Sequence, residues 1–147
     1  MLKEKKSALA KATDLLANQE QSSTMLKRKL SARNYSDAEI NDAIAKLKKY
    51  NYLNDQESCK RQFEILFSEG KLSIRQIIAK LIRRGFDKDF IEKLIPNDAD
   101  KYELSTANQL LEKKFSNNNF DRNKAWQFLS MRGFDCEIIS SAIENFT

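Results

Sequence analysis

Apolar residues recur along this chain at every third or fourth position, the spacing of one face of an α-helix. The pattern also returns to itself. Leu30-Ser31-Ala32-Arg33-Asn34-Tyr35-Ser36, Leu81-Ile82-Arg83-Arg84-Gly85-Phe86-Asp87 and Leu129-Ser130-Met131-Arg132-Gly133-Phe134-Asp135 share one design at spacings of 51 and 48 residues. Each has a Leu, an Arg in the last helical turn where the dipole favours a cation, and a Gly or Asn suited to the left-handed position past the helix end. An aromatic residue then covers the corner, and a Ser or Asp caps the next helix. Ser36 with Glu39, and Ser73 with Gln76, have the spacing of a capping box.

The register extends both ways. Downstream, Ile40, Ile91 and Ile139 correspond, as do Ile44, Ile95 and Ile143. Upstream, Ser22, Ser73 and Asp121 fall at equivalent N-caps, and Ala8/Ala12/Leu16, Cys59/Phe63/Phe67 and Ala107/Leu111/Phe115 form stripes four residues apart on a preceding helix. Gly70 is the natural stop of the second copy of that helix. The prediction is nine helices, near 5–18, 23–33, 37–50, 56–68, 74–84, 88–95, 100–116, 122–132 and 136–146. The expected fold is all-α: three tandem three-helix repeats (1–52, 53–97 and 98–147) stacked into an elongated, curved helical array, since one such unit buries little alone.

Composition narrows the chemistry. The 147 residues include no His, two Cys, three Gly and one Pro. Without His there is no Ser-His-Asp or Cys-His catalytic apparatus, and two Cys do not complete a zinc site. No Gly-rich phosphate loop is present. Acid pairs such as Asp87/Asp89 and Asp98/Asp100 flank helix starts, where capping explains them. Enzyme activity and a cofactor are not expected. Cys59 and Trp126 read as core, and Cys136 as a partly exposed thiol at a helix start. The charged start, Met1-Leu2-Lys3-Glu4-Lys5-Lys6, is not a signal sequence, and no apolar run is long enough to span a membrane, so a cytoplasmic monomer is expected.

Charge is graded along the repeats. Residues 1–50 hold 11 Lys/Arg against 6 Asp/Glu (net +5), residues 51–95 hold 9 against 7 (net +2), and residues 96–147 hold 6 against 8 (net −2). Lys27, Arg28, Lys46, Lys48 and Lys49 in the first unit, with Arg75, Arg83 and Arg84 in the second, form a candidate basic surface for an acidic partner, either nucleic-acid phosphate or protein. The bland explanation is a solvated helix face with cations at helix C-termini.

These features together resemble the RecX family, bacterial regulators of the RecA recombinase. The resemblance rests on the tandem three-helix units, on Tyr52-Leu53-Asn54-Asp55 at the first junction, and on Gly70-Lys71-Leu72-Ser73 followed by Ile74, Ile77 and Leu81. Arg83-Arg84-Gly85-Phe86 before a short amphipathic helix completes it. It covers about residues 7–147; Asn51 stands where the family often has Gly, and Leu72-Ser73 where it has Gly-Pro. The resemblance implies a cofactor-free protein that binds the RecA–DNA filament, lodges along its groove and restrains recombinase, ATPase and coprotease activities in recombination, repair and the SOS response. Single- or double-stranded DNA is a further partner to consider. The alternative reading is a stand-alone DNA-binding protein with helix-turn-helix-like units.

Overall fold

Ser7, Ser22, Ser36, Asn54, Ser73, Asp87 and Asp121 each accept a backbone N–H from the first turn of the helix that follows them, which sets where seven of the helices begin. A computed structural model describes residues 4–116 and 119–147. Among them are nine α-helices and no strand: α1 (Ala8–Asn18), α2 (Ser23–Ala32), α3 (Asp37–Lys49), α4 (Asp55–Glu69), α5 (Ile74–Arg83), α6 (Lys88–Lys93), α7 (Ala99–Lys114), α8 (Arg122–Met131) and α9 (Cys136–Phe146). Both expected capping boxes form. Asp135 differs: it stands at the N-cap of α9, but its side chain makes no cap hydrogen bond. The Met1–Lys3 part of the charged start lies outside the described residues.

Helices pack in threes. α1–α3 enclose Ala8, Ala12, Leu26, Leu30, Ile40, Ile44 and Leu47; α4–α6 enclose Cys59, Phe63, Leu66, Ile77, Leu81 and Ile91; α7–α9 enclose Ala107, Leu111, Phe115, Ala125, Leu129, Ile139 and Ile143. The corner aromatics Tyr35, Phe86 and Phe134 are all buried, each in its own core. Leu53, which sequence places at the head of the second unit, packs in the first core, its N–H bonded to the Leu47 carbonyl at 3.2 Å. The accessible surface is 9986 Å². A compact monomer of 17.1 kDa would expose about 7,800 Å². The excess is that of an extended row of small cores.

The units are joined by one device used twice. The Ser22 hydroxyl, which accepts the Met25 N–H at 3.1 Å, donates to the Arg84 carbonyl at 2.5 Å. At the next joint, the Ser73 hydroxyl accepts the Gln76 N–H at 3.1 Å and donates to the Arg132 carbonyl at 2.5 Å. A carboxylate on the first helix of the following unit completes each contact. Asp55 accepts the Ser23 N–H at 2.8 Å and also the Ser23 hydroxyl, while Glu103 accepts the Ile74 N–H at 3.2 Å. Asp55 and Glu103 are equivalent in the repeat register. So the start of α2 plugs into the second unit as the start of α5 plugs into the third.

Close approach explains the glycines at this joint. A Cβ on Gly85 would lie 2.6 Å from Ser22 Oγ and 3.0 Å from Thr24 Cβ, and one on Gly133 would lie 3.1 Å from Arg75 Cβ. Both glycines hold φ near +90° (91° and 89°), strained for any other L-residue. The second joint carries extra apolar contact: Tyr102 stacks on Phe67 at 4.1 Å between ring centroids and donates its hydroxyl to the Leu72 carbonyl at 2.7 Å.

Candidate functional site

Seven of the eight candidate basic residues lie on helices of the first two units, Arg84 just past the end of α5, and they differ in what holds them. Lys27 and Arg28 are exposed in the middle of α2. Lys46, Lys48 and Lys49 are exposed in the last turn of α3, where the negative end of the helix dipole favours cations. Lys46 pairs with Asp42 one turn back at 3.1 Å, and Lys49 sits 5.7 Å from the Tyr50 ring. Arg83 is exposed in the last turn of α5. Among the described residues, Lys27, Arg28, Lys48, Lys49 and Arg83 form no ion pair.

Arg75 and Arg84 are tied to the joints. Arg84 caps the C-terminus of α5; its carbonyl receives Ser22, and its guanidinium donates to Gln62 Oε1 at 2.7 Å. Arg75 lies in the first turn of α5, its stem against Gly133 and its guanidinium 3.9 Å from Asp135. That contact is where the Asp135 carboxylate points instead of capping α9.

Two concavities border these residues. One, of about 500 Å³, lies beside α1 and the end of α3 and is lined by Leu9, Leu16, Ala17, Lys46, Tyr50 and Tyr52. Tyr50 and Tyr52 are 65% and 75% exposed, large apolar surfaces left in water beside three lysines. Asn51 between them holds φ 59°, so it takes the left-handed turn at this junction without a glycine. The other, of about 390 Å³, lies at the first joint and brings Lys29 and Arg84 together with Glu20, Gln62 and Phe86. Lys29 is visible in the Lys27-Arg28-Lys29 run, but nothing in the sequence sets it apart from its neighbours. Its place beside Arg84 depends on a contact between units, which a one-dimensional pattern does not carry.

Other candidates fall elsewhere. Cys59 is buried, and desolvation, with Asp55 and Asp87 nearby, pushes its thiol up to about 11. Cys136 is exposed at the first position of α9. Trp126 corrects the sequence expectation: it is 38% exposed on α8, not core. The core side of that helix is filled by Ala125 and Leu129, and adjacent or one-turn-distant positions do not all point inward. Among the described residues no group of His, Cys, Asp or Glu is arranged to hold a metal ion, and no helix is long and apolar enough to cross a membrane.

Comparison with known proteins agrees with this architecture. Residues 8–47 match the family model described as RecX, first three-helix domain. The regulatory protein RecX of Caldanaerobacter subterraneus subsp. tengcongensis is 31% identical over 145 residues, which is 95% of this chain and 71% of that one. Its counterpart in Haemophilus influenzae is 30% identical over 129 residues, 82% of each chain. That of Neisseria meningitidis is 28% identical over 148 positions, 98% of this chain and 94% of the relative. The crystal structure of RecX from Lactobacillus salivarius superposes with a TM-score of 0.80 at 22% identity, covering 94% of this chain and 93% of that one. With a three-unit all-α fold and relatives that span nearly its whole length, the chain belongs to the RecX family of regulatory proteins.

Proposed function

We propose that this protein binds the RecA–DNA filament and restrains RecA recombinase, ATPase and coprotease activities in recombination, DNA repair and the SOS response. The observation that carries the reading is a row of three jointed units whose positive charge is concentrated in the first, in a chain of the RecX family. A row of similar units is suited to a helical filament, which offers neighbouring subunits at regular intervals. Lys27, Arg28, Lys46, Lys48, Lys49, Arg75, Arg83 and Arg84 supply the basic contact surface. Within that set, Lys27, Arg28, Lys48, Lys49 and Arg83 meet the partner directly, since they are exposed and form no ion pair among the described residues. Arg75 and Arg84 contribute while also holding joints.

The test is binding to preformed RecA filaments on single-stranded DNA, compared with DNA alone. Reversing Lys46, Lys48 and Lys49 to Glu should weaken filament binding and leave the first core packed, because all three side chains are exposed, with the cost confined to the last turn of α3, where the dipole and the Asp42 pair favour Lys. Unchanged binding by that variant would refute the placement of the surface. Tight binding to duplex without RecA would instead support the DNA-binding alternative. With about four phosphate contacts, that mode gives a slope of about −3.6 for the logarithm of affinity against the logarithm of salt.

A further inference from the structure

The two joints share their plug and differ in the concavity beside it. We infer that the concavity at the second joint is a binding site for the phosphate backbone of a single-stranded nucleic acid.

At the first joint the charges are already answered. Arg61 pairs with Glu20 at 2.6 Å, and the Arg84 guanidinium donates to Gln62 Oε1 at 2.7 Å. The repeat register carries each of these positions forward to the second joint. There Lys71 stands in for Glu20, Gln109 for Arg61, Leu110 for Gln62 and Arg132 for Arg84. Gln109 still faces the segment before Ser73, since a Cβ on Gly70 would lie 3.9 Å from its Oε1. The exchanges remove the acid that would pair across the joint and the amide that would hold the Arg. Lys113 and Lys114, in the last turn of α7, add two more cations where the register of the second unit has Ile65 and Leu66.

These cations converge. Lys71, Lys113, Lys114 and Arg132 line one concavity of about 630 Å³, and Glu69 is the one acid among the described residues that line it. Among the described residues, none of the four cations forms an ion pair. Counting charge by unit conceals the cluster: residues 96–147 sum to −2, yet they supply three of its four members.

The wall of the concavity selects the kind of polyanion. Its aromatic ring, Phe128, lies under Arg132 at 4.4 Å and Lys114 at 5.6 Å from the centroid, so the ring carries cations instead of offering a face to a base. Phe128 and Leu110 are half-buried, and none of the large apolar side chains exposed elsewhere, such as Tyr50, Tyr52 and Trp126, lines the site. A protein segment draws most of its binding energy from a few large anchors seated in pockets, and this wall has none to offer. A nucleic acid draws its energy from neutralised phosphates, one on every residue. A single strand is flexible enough to enter a concavity between two units, where a duplex would present only its outer phosphates. The strand is met through its backbone, so binding is indifferent to base sequence. This site is separate from the basic surface of the first unit and does not depend on RecA.

The experiment is fluorescence anisotropy of a labelled oligothymidylate of about 16 nucleotides, titrated with the full chain over a range of salt. Four phosphate contacts give a slope of about −2.8 for the logarithm of affinity against the logarithm of salt. Replacing Lys71, Lys113 and Lys114 together by Gln keeps helix propensity and touches only exposed side chains; Arg132 is left in place because its carbonyl holds Ser73. That variant should bind about 100-fold more weakly at about 0.1 M salt, and its slope should fall to about −0.7. A control with the same change of net charge, Lys60, Lys93 and Lys124 to Gln, alters exposed lysines outside the concavity and should keep the slope of the unaltered chain.

No binding by the unaltered chain at about 100 μM protein, the weak end for contacts of this kind, overturns the inference. So does an unchanged slope in the first variant, or an equal fall in the control. Tighter binding of a labelled duplex, or of a labelled polyglutamate, overturns the choice of a single strand. With no RecA in the assay, each of these results leaves the filament reading to its own test.

Discussion

Replacing Gly85 by Ala tests whether the joint between the first two units is built on close contact. The added Cβ would stand 2.6 Å from Ser22 Oγ and 3.0 Å from Thr24 Cβ, at a φ of +91°. Backbone strain costs about 1–2 kcal/mol. Displacing Ser22 removes its bond to the Arg84 carbonyl, about 1 kcal/mol more. Thr24 Cβ is anchored directly to the backbone of α2, so relief requires the whole helix start to back away and loosens the Asp55 contacts to Ser23 as well. The total is about 2–4 kcal/mol. Gly70→Ala is the control. It also has positive φ, 63°, but the nearest atom to its added Cβ is Gln109 Oε1 at 3.9 Å, so about 1 kcal/mol of strain is all it incurs. Urea denaturation followed by circular dichroism measures both. Gly85→Ala should also broaden the transition, because unit one then unfolds less tightly coupled to unit two. Equal costs for the two variants would refute the joint as described.

Two further predictions concern titration and thiol chemistry. Burial, helped by Asp135 and Asp100, lifts the Glu103 carboxyl to about 7, while the Ile74 N–H and Arg75 oppose the shift. Its second oxygen is buried without a partner. A folded-state value above the unfolded one means that the native state holds the proton more tightly. The associated stability is therefore complete below about pH 4.5 and lost as pH rises through about 7. A tenfold change in proton affinity is worth about 1.4 kcal/mol, and with the site half open to water the loss is on the order of 2 kcal/mol. Glu103→Gln should flatten stability between pH 5 and pH 8, measured by urea midpoints; an unchanged slope would contradict this. For the cysteines, a thiol reagent at neutral pH should label exposed Cys136 in the native protein and reach buried Cys59 only on unfolding, with mass spectrometry locating the label. Native labelling of Cys59 would contradict the packing of the second core.

Much of this fold is legible in the sequence because it is made by local rules repeated three times. Arg at the helix end, Gly or Asn after it, an aromatic corner and a Ser or Asp cap are each read within seven residues; the turn and the buried aromatic form in all three copies, and the side-chain cap in two, Asp135 being the exception. Element ends shift by one to three residues for equally local reasons, as where Ser7 rather than Lys5 opens α1. The joints are what sequence reading leaves out. Asp55 and Glu103 lie in the same register as Cys59 and Ala107, so their equivalence is available, but their partners are 32 and 29 residues away on another unit. A hydroxyl that serves its own helix and a distant carbonyl looks, in sequence, like an ordinary cap. Trp126 fails for a different reason: periodicity assigns a face only approximately, and Ala125 occupies the inward position beside it.

The central claim is that this chain acts on RecA, and the most direct measurement is RecA ATPase on single-stranded DNA titrated with the full protein. Inhibition should develop well below one copy per RecA subunit and weaken when Lys46, Lys48 and Lys49 are reversed. Full ATPase activity at saturating protein would contradict the claim.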